Sequence, residues 1–266
     1  MLTINSVDDP RIAPYRNLKD RELARVRGLF IAEGEFILRR LLASDYPVES
    51  VLLSDRRAEE IAPIIEPGIP VYVASDEVLR QIIGYKFHSG IVAAGRRRPG
   101  LRLDQFSLLN QSRVTLVICP ETATAENMGS LIRISAAFGA DGLLLGERCC
   151  DPFWRQSIRV SMGTIFSIPI IRSEDLVRDL RQLREERGFE LVATVLDERA
   201  EPLNLASRGE RVGILFGNEA QGLDDQTLAT CDRRITIPMR QGVDSLNVAI
   251  AAGIVLHHFS QDESFR

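Results

Sequence analysis

Two periodicities alternate along this chain, and that alternation limits its possible folds more than any other feature. Short runs rich in Val, Ile and Leu recur at 29–33, 48–54, 70–74 and 91–94. The first three are each followed by helical spacing, at 36–43, 58–65 and 76–83. Strands separated by helices predict layers, because each helix must bury its apolar stripe on a sheet face. The pattern restarts at 114–119, Val-Thr-Leu-Val-Ile-Cys, an unbroken apolar run that suits a strand buried on both faces. Further strands are predicted at 142–145, 165–171, 190–194, 212–216 and around Ile235 and Ile237. Helices are predicted at 127–138, 175–186 and 247–258, with a short one beginning at Asp151 and leading to Arg159. The fold class is therefore α/β: an open, mainly parallel sheet preceded by a smaller α/β domain.

The run Arg96-Arg97-Arg98-Pro99-Gly100 breaks the alternation, as charge followed by Pro-Gly does. It divides the 266 residues into an N-terminal domain at 1–97, a solvated linker at 98–112 and a second domain at 113–266. The net charge of −4 does not advertise nucleic-acid binding. The kind of cation is more telling, since Lys19 and Lys86 are the only lysines and all other cationic side chains are arginine. Arginine grips phosphate with two parallel hydrogen bonds and stacks on bases; codon bias would produce the same excess. Arg11, Arg16 and Arg25 lie with Asp8, Asp9 and Glu22 in a segment where Leu18, Leu23 and Val26 form a partial helical stripe. That segment reads either as a solvated mixed-charge helix or as a basic arm that touches RNA backbone.

Cys119, Cys149, Cys150 and Cys231 show no paired spacing, and His88, His257 and His258 are scattered, so no metal site is expected. Free thiols without a signal peptide point to the cytoplasm, and no apolar run reaches membrane-spanning length.

Three polar, glycine-bearing stretches sit where strands end, which is where open α/β sheets bind ligands. The first runs from Asn127 through Gly129 to Arg133. Read alone, Asn127 is a helix cap, and Gly129 in the first turn implies close packing against that turn. Arg133 stands in an apolar run, and if buried needs an anion such as phosphate. The second stretch, 215–223, offers Gly217 for close backbone approach and Glu219 as a carboxylate. It matches neither a dinucleotide fingerprint nor a P-loop, which argues against NAD and ATP. The third, 237–249, leads from Ile237 through Pro238 and Gly242 to Ser245 and Asn247, which read alone are further caps.

Taken together and in this order, the segments resemble the SpoU/TrmH family of RNA ribose 2′-O-methyltransferases, of the SPOUT class. Asn127-x-Gly129-x-x-x-Arg133 is similar to the family's first motif, and Phe216-Gly-Asn-Glu219-x-x-Gly222 to its second. Ile237-Pro-Met with Ser245-Leu-Asn247-Val is similar to its third, and Arg159-Val-Ser161-Met-Gly163 to its Arg-x-Ser-x-Gly segment. The likeness spans about 113–258. The first half resembles the family's N-terminal substrate-binding domain, itself like a small ribosomal protein, through Glu33-Gly34 and His88-Ser-Gly90-Ile-Val-Ala93. The chain departs from the family at Thr124-Ala125-Glu126, where Asp-Pro is usual, and at Ala249, where Ser is frequent.

The resemblance implies a trefoil knot in the last third of the chain, a homodimer formed through the C-terminal domain, and S-adenosylmethionine as methyl donor with no metal. It implies that Leu215, Gly217, Ile237, Met239, Ser245 and Leu246 line the donor pocket. Asn127, Arg133, Glu219, Ser245 and Asn247 would form the catalytic group, and Arg11, Arg16, Arg25 and Arg159 would contact RNA. The substrate implied is a ribose 2′-hydroxyl of rRNA or tRNA, with rRNA favoured by the two-domain build. The alternatives are a non-catalytic RNA-binding protein on the same fold and a base methylase.

Overall fold

The structure, a computed structural model, describes residues 1–16, 22–84, 88–218, 221–240 and 245–261. It divides into two compact units: Met1–Pro99 with Pro152–Ser167, and Gly100–Asp151 with Ile168–Arg266.

The first unit contains β1 (Leu2–Ile4), β2 (Leu29–Glu33), α1 (Glu35–Leu42), β3 (Val48–Ser54), α2 (Asp55–Ile61), β4 (Val71–Ala74), α3 (Asp76–Ile83) and β5 (Ile91–Arg96). The five strands order as β1-β4-β3-β5-β2. β1, β4 and β3 run parallel, while β5 is antiparallel to both β3 and β2. Ahead of the stripe read from sequence, Leu2–Ile4 adds an edge strand; Leu23 and Val26 of the stripe do lie on a helical turn, Leu23–Arg27, though neither is buried, and Leu18 lies outside the described residues. One sheet face is buried by Ile12, Tyr15, Leu79, Ile82 and Ile83 against Ile31, Leu52 and Val92. Tyr15 is fully buried, and its hydroxyl meets Ser50 Oγ at 2.7 Å, so its polar tip is satisfied inside the core.

The second unit begins with β6 (Val114–Cys119), α4 (Ala125–Ala137) and β7 (Gly142–Leu145). The chain then returns to the first unit with α5 (Arg155–Val160), which packs on β2. There Phe30 of β2 sits 5.4 Å, centroid to centroid, from both Phe153 and Phe166, and 5.9 Å from Tyr46. Arg97 and Arg98 lie over the Phe153 and Tyr46 rings at 5.4 and 5.7 Å.

Back in the second unit come β8 (Ile170–Arg172), α6 (Leu176–Glu185), β9 (Glu190–Thr194), β10 (Glu201–Pro202), β11 (Arg211–Leu215), α7 (Asp225–Thr230), β12 (Arg233–Thr236) and α8 (Val248–Ser260). The strands form one sheet, β10-β12-β9-β11-β6-β7-β8, with every neighbouring pair parallel. All six residues of β6, near the sheet's centre, are buried. Leu116, Ile118, Leu144, Leu191 and Leu215 pack with Leu180 and Leu183 of α6 on one face. The alternating residues Val117, Leu143, Val192 and Ile214 turn to the other face and are fully buried. α4 packs on β7 and against α8. Its Met128, Leu131, Ile132 and Ser135 are buried at helical spacing.

Three sequence expectations change here. The apolar run 165–171 is not one strand: Thr164–Phe166 is a 3-10 turn after Gly163, which has a left-handed φ of 78°, and only Ile170–Arg172 is extended. The helix expected at 58–65 runs instead over Asp55–Ile61, followed by a 3-10 turn at Ala62–Ile64, where Pro63 lacks the backbone donor needed to continue it. Within 98–112, Leu103 and Leu109 on two 3-10 turns, with Phe106 between the turns, recur every three residues and are buried in the core, so this stretch is not a solvated tether.

Phe30 is 1% exposed at the centre of its ring cluster. Phe30→Ala is expected to lower the unfolding free energy by about 3–5 kcal/mol in urea titrations.

Candidate active site

Because the sheet of the second unit is parallel, its strands all end at one edge. Beyond the ends of β9, β11 and β12 lies a cavity of about 440 Å³, within the ~300–1,000 Å³ span of small-molecule sites. Of the residues expected there, Gly217, Ile237, Met239, Ser245 and Leu246 line it. Leu215 does not; it is fully buried at the end of β11, where its carbonyl accepts from Thr194 Oγ1 at 2.8 Å. Phe216, Ile235 and Val255 add apolar surface, while Thr194, Asn218, Asp197 and Arg234 add polar and charged groups.

Gly217 lines the cavity and has a further reason for its lack of side chain beyond the one its sequence suggests. The loop after β11 closes on itself: Asn218 N donates to Gly222 O at 3.0 Å, and Gly222 N to Asn218 O at 2.8 Å. A Cβ on Gly217 would overlap the Gly222 carbonyl group and stand 2.7 Å from Leu223 N. The chain's own backbone thus also approaches Gly217 closely.

The first and third polar stretches meet. Asn127 does not cap α4. Thr124 does, its Oγ1 accepting from Asn127 N at 3.3 Å, which leaves the Asn127 side chain for another task. Asn127 Oδ1 accepts from Asn247 Nδ2 at 2.9 Å. Asn247 is itself the N-cap of α8, its Oδ1 accepting from Ala249 N at 2.9 Å and Ile250 N at 3.4 Å. At the departure Thr124-Ala125, the cap is supplied by the Thr124 hydroxyl. Arg133 is exposed, on the side of α4 away from its buried stripe, so burial does not force an anionic partner on it. Ser245 is exposed at the cavity and Gly129 is buried. Glu219 lies outside the described residues.

The four arginines expected to contact RNA all lie in the first unit. Arg25 and Arg159 are exposed. Arg11 pairs with Asp9 at 2.6 Å and Arg16 with Asp8 at 3.4 Å. Arg11 lowers the Asp9 carboxyl to a pKa of about 2, through side-chain and then backbone hydrogen bonds.

Sequence reasoning missed Asp197 and Arg234, which sit beyond β9 and within the neighbouring β12 and carry no local motif. It also missed Glu121, whose Oε1 accepts from Asn218 Nδ2 at 3.0 Å. The four cysteines are unbridged. Burial pushes the Cys150 and Cys231 thiols up to about 11 and raises those of Cys119 and Cys149 as well. Such thiols are poor nucleophiles near neutral pH. Among the described residues, no group of three or more His, Cys, Asp or Glu could hold a metal, and no helix is long and apolar enough to cross a membrane.

Because Asn247 both caps α8 and bonds Asn127, its loss should be felt twice. Asn247→Ala is expected to lower stability by about 1–3 kcal/mol, and Asn127→Ala by about 1 kcal/mol. Urea titrations compare them; equal losses would show that the cap contributes nothing.

Residues 114–257 match the model of the SpoU rRNA Methylase family. An uncharacterised tRNA/rRNA methyltransferase of Mycobacterium tuberculosis is 35% identical, over 94% of this chain and 88% of that protein. The 23S rRNA (guanosine-2′-O-)-methyltransferase RlmB of Acinetobacter baylyi is 32% identical, over 76% of this chain and 83% of its own. Among solved structures, an AdoMet-bound rRNA methyltransferase from Sinorhizobium meliloti superposes with a TM-score of 0.83 at 25% identity, over 98% of both chains. Its overall course agrees with the α/β, mainly parallel architecture described above. The chain belongs to the SpoU rRNA Methylase family.

Proposed function

We propose that this protein transfers a methyl group from S-adenosylmethionine to a ribose 2′-hydroxyl of RNA, with ribosomal RNA as the preferred substrate. The cavity at the ends of β9, β11 and β12 carries this reading. The donor joins a planar purine to a ribose and a zwitterionic amino acid, and so needs an apolar slot beside polar and charged groups. Phe216, Ile235, Ile237 and Leu246 provide the first; Thr194, Asp197, Asn218 and Arg234 provide the second. Gly217, Met239 and Ser245 complete the donor site, with Leu215 supporting it from the end of β11. Bound there, the donor supplies an electrophilic methyl group on a sulfonium centre. The named activity of the Acinetobacter relative and the AdoMet carried by the Sinorhizobium structure support donor and substrate.

The attacking hydroxyl must be held in line with the transferred methyl and must lose its proton as it attacks. Only RNA offers a 2′-hydroxyl. Asn127 and Asn247, bonded to each other beside the cavity's third stretch, orient the ribose through neutral amides. Arg133 binds the adjoining phosphate and steadies developing charge, a task that suits a guanidinium better than proton removal. Ser245 and Glu219 complete the catalytic group.

The same reading includes a trefoil knot in the last third of the chain and a homodimer through the C-terminal domain. Ile250 and Ile254, 56% and 39% exposed and one turn apart on α8, offer apolar surface to a second copy. The N-terminal domain, 1–97, binds the RNA with Arg11, Arg16 and Arg25, and Arg159 joins them. The work is done in the cytoplasm.

Incubation with methyl-labelled donor and total RNA tests the proposal. Label is expected in 2′-O-methylribose of the ribosomal fraction. Label in a base would overturn it, and donor binding absent by calorimetry would favour a non-catalytic RNA-binding protein. Arg133→Ala is expected to reduce turnover at least a hundredfold with donor affinity held within about threefold; retained turnover removes Arg133 from catalysis.

A further inference from the structure

The loop that follows β11 contributes Gly217, Asn218, Gln221, Gly222 and Leu223 to the cavity wall. It is closed by the paired backbone bonds between Asn218 and Gly222 and by the fit of Gly217 against Gly222. These contacts fix Gly217, Asn218 and Gly222 to one another, so this part of the cavity wall depends on where Asn218 is held. Its Asn218 side chain ties it to a different strand end: Asn218 Nδ2 donates to Glu121 Oε1 at 3.0 Å, two residues beyond β6. A carboxylate only accepts, so this bond also fixes which way the Asn218 amide faces.

Glu121 is held in turn. Its Oε2 lies 2.9 Å from Arg148 Nε, and Arg148 Nη2 donates to Asp224 Oδ2 at 3.1 Å. Asp224 caps α7 by accepting from Thr227 N at 2.8 Å. That backbone bond, then the Thr227 hydroxyl and Arg148, hold the Asp224 carboxyl below the usual range. One arginine thus bridges two carboxylates. The line Asn218–Glu121–Arg148–Asp224 joins the ends of β6, β7 and β11 to the start of α7, whose Leu228 also lines the cavity. Arg148 is 61% exposed and Asp224 48%, so the pairs add little to global stability. Their effect is local, on the placement of the loop.

We propose that Glu121 is a positioning residue for the methyl-donor pocket: through Asn218 it holds the loop after β11 in its donor-binding place, and Arg148 keeps Glu121 in reach. This rests on the cavity being the donor site. Glu121 itself is not among the cavity's lining residues, so a change there acts on donor affinity through Asn218.

The test is calorimetric binding of S-adenosylhomocysteine, the demethylated donor, to the full chain, with turnover measured alongside. Glu121→Ala is expected to weaken binding about tenfold (~1.4 kcal/mol). Glu121→Gln keeps an acceptor for Asn218 but loses the charge, and is expected to weaken it about threefold, as is Arg148→Gln. In turnover, KM for the donor should rise in that same order while kcat at saturating donor stays within twofold. A purely structural role would lower the melting temperature without that graded KM effect, and would overturn the proposal. Should Glu121→Ala fail to fold, Glu121→Gln decides, with unchanged affinity overturning it. If the wild type binds S-adenosylhomocysteine and Glu121→Ala binds it equally well, this proposal alone fails. If the wild type does not bind it at all, the donor reading fails too.

Discussion

The Asn247 side chain joins two parts of the site with its two ends. Its oxygen satisfies the first amides of α8, and its nitrogen reaches across to Asn127 on α4. Neither bond is strong, since each contributes about 1 kcal/mol net. Their value lies in sharing one residue. The start of α8, the last turn of the stretch that lines the cavity and the start of α4 are all referred to a single amide. Helix packing reinforces this: α4 and α8 lie against each other, where a Cβ on Gly253 would stand 3.9 Å from Ile134 Cδ1. The polar face of the site therefore inherits the rigidity of a helix pair.

Around that anchor, the parallel sheet does the rest of the positioning. Every strand of the second unit points the same way, so the loops that follow β6, β7, β9, β11 and β12 leave from one edge. Residues distant in sequence converge there without any local device to bring them together. Glu121, Arg148 and Asn218 form a connected line because β7, β6 and β11 are consecutive in the sheet. Asp197 and Arg234 share a cavity because β9 and β12 are adjacent.

The same logic explains what could be read in the sequence. Strand β6 is legible to the residue because a strand buried on both faces is apolar at nearly every position, Thr115 being the exception here, and β3, β7, β9 and α3 are equally clear. The run 165–171 misled because an apolar composition does not distinguish a 3-10 turn from a strand, and the left-handed Gly163 that forces the turn is only one glycine among many. Read alone, Asn127 looks like the cap because asparagine caps well. Thr124, three residues earlier, caps well too, and only the fold chooses between them. The polar stretches were legible as a set, since their order matched a family. Asp197, Arg234 and Glu121 were not, because each is an isolated charge whose meaning arises from strand adjacency.

The excursion of Pro152–Ser167 out of the second unit has a consequence for modularity. Phe153 and Phe166 complete an aromatic cluster whose central ring, Phe30, belongs to the second strand of the chain. A fragment beginning at Gly100 would carry these two rings away from their partner, and a fragment ending at Pro99 would leave Phe30 without its cover. The halves are thus not interchangeable cassettes. Recombination that swapped the N-terminal half for another would have to bring a matching socket for a peptide encoded more than fifty positions downstream of the seam.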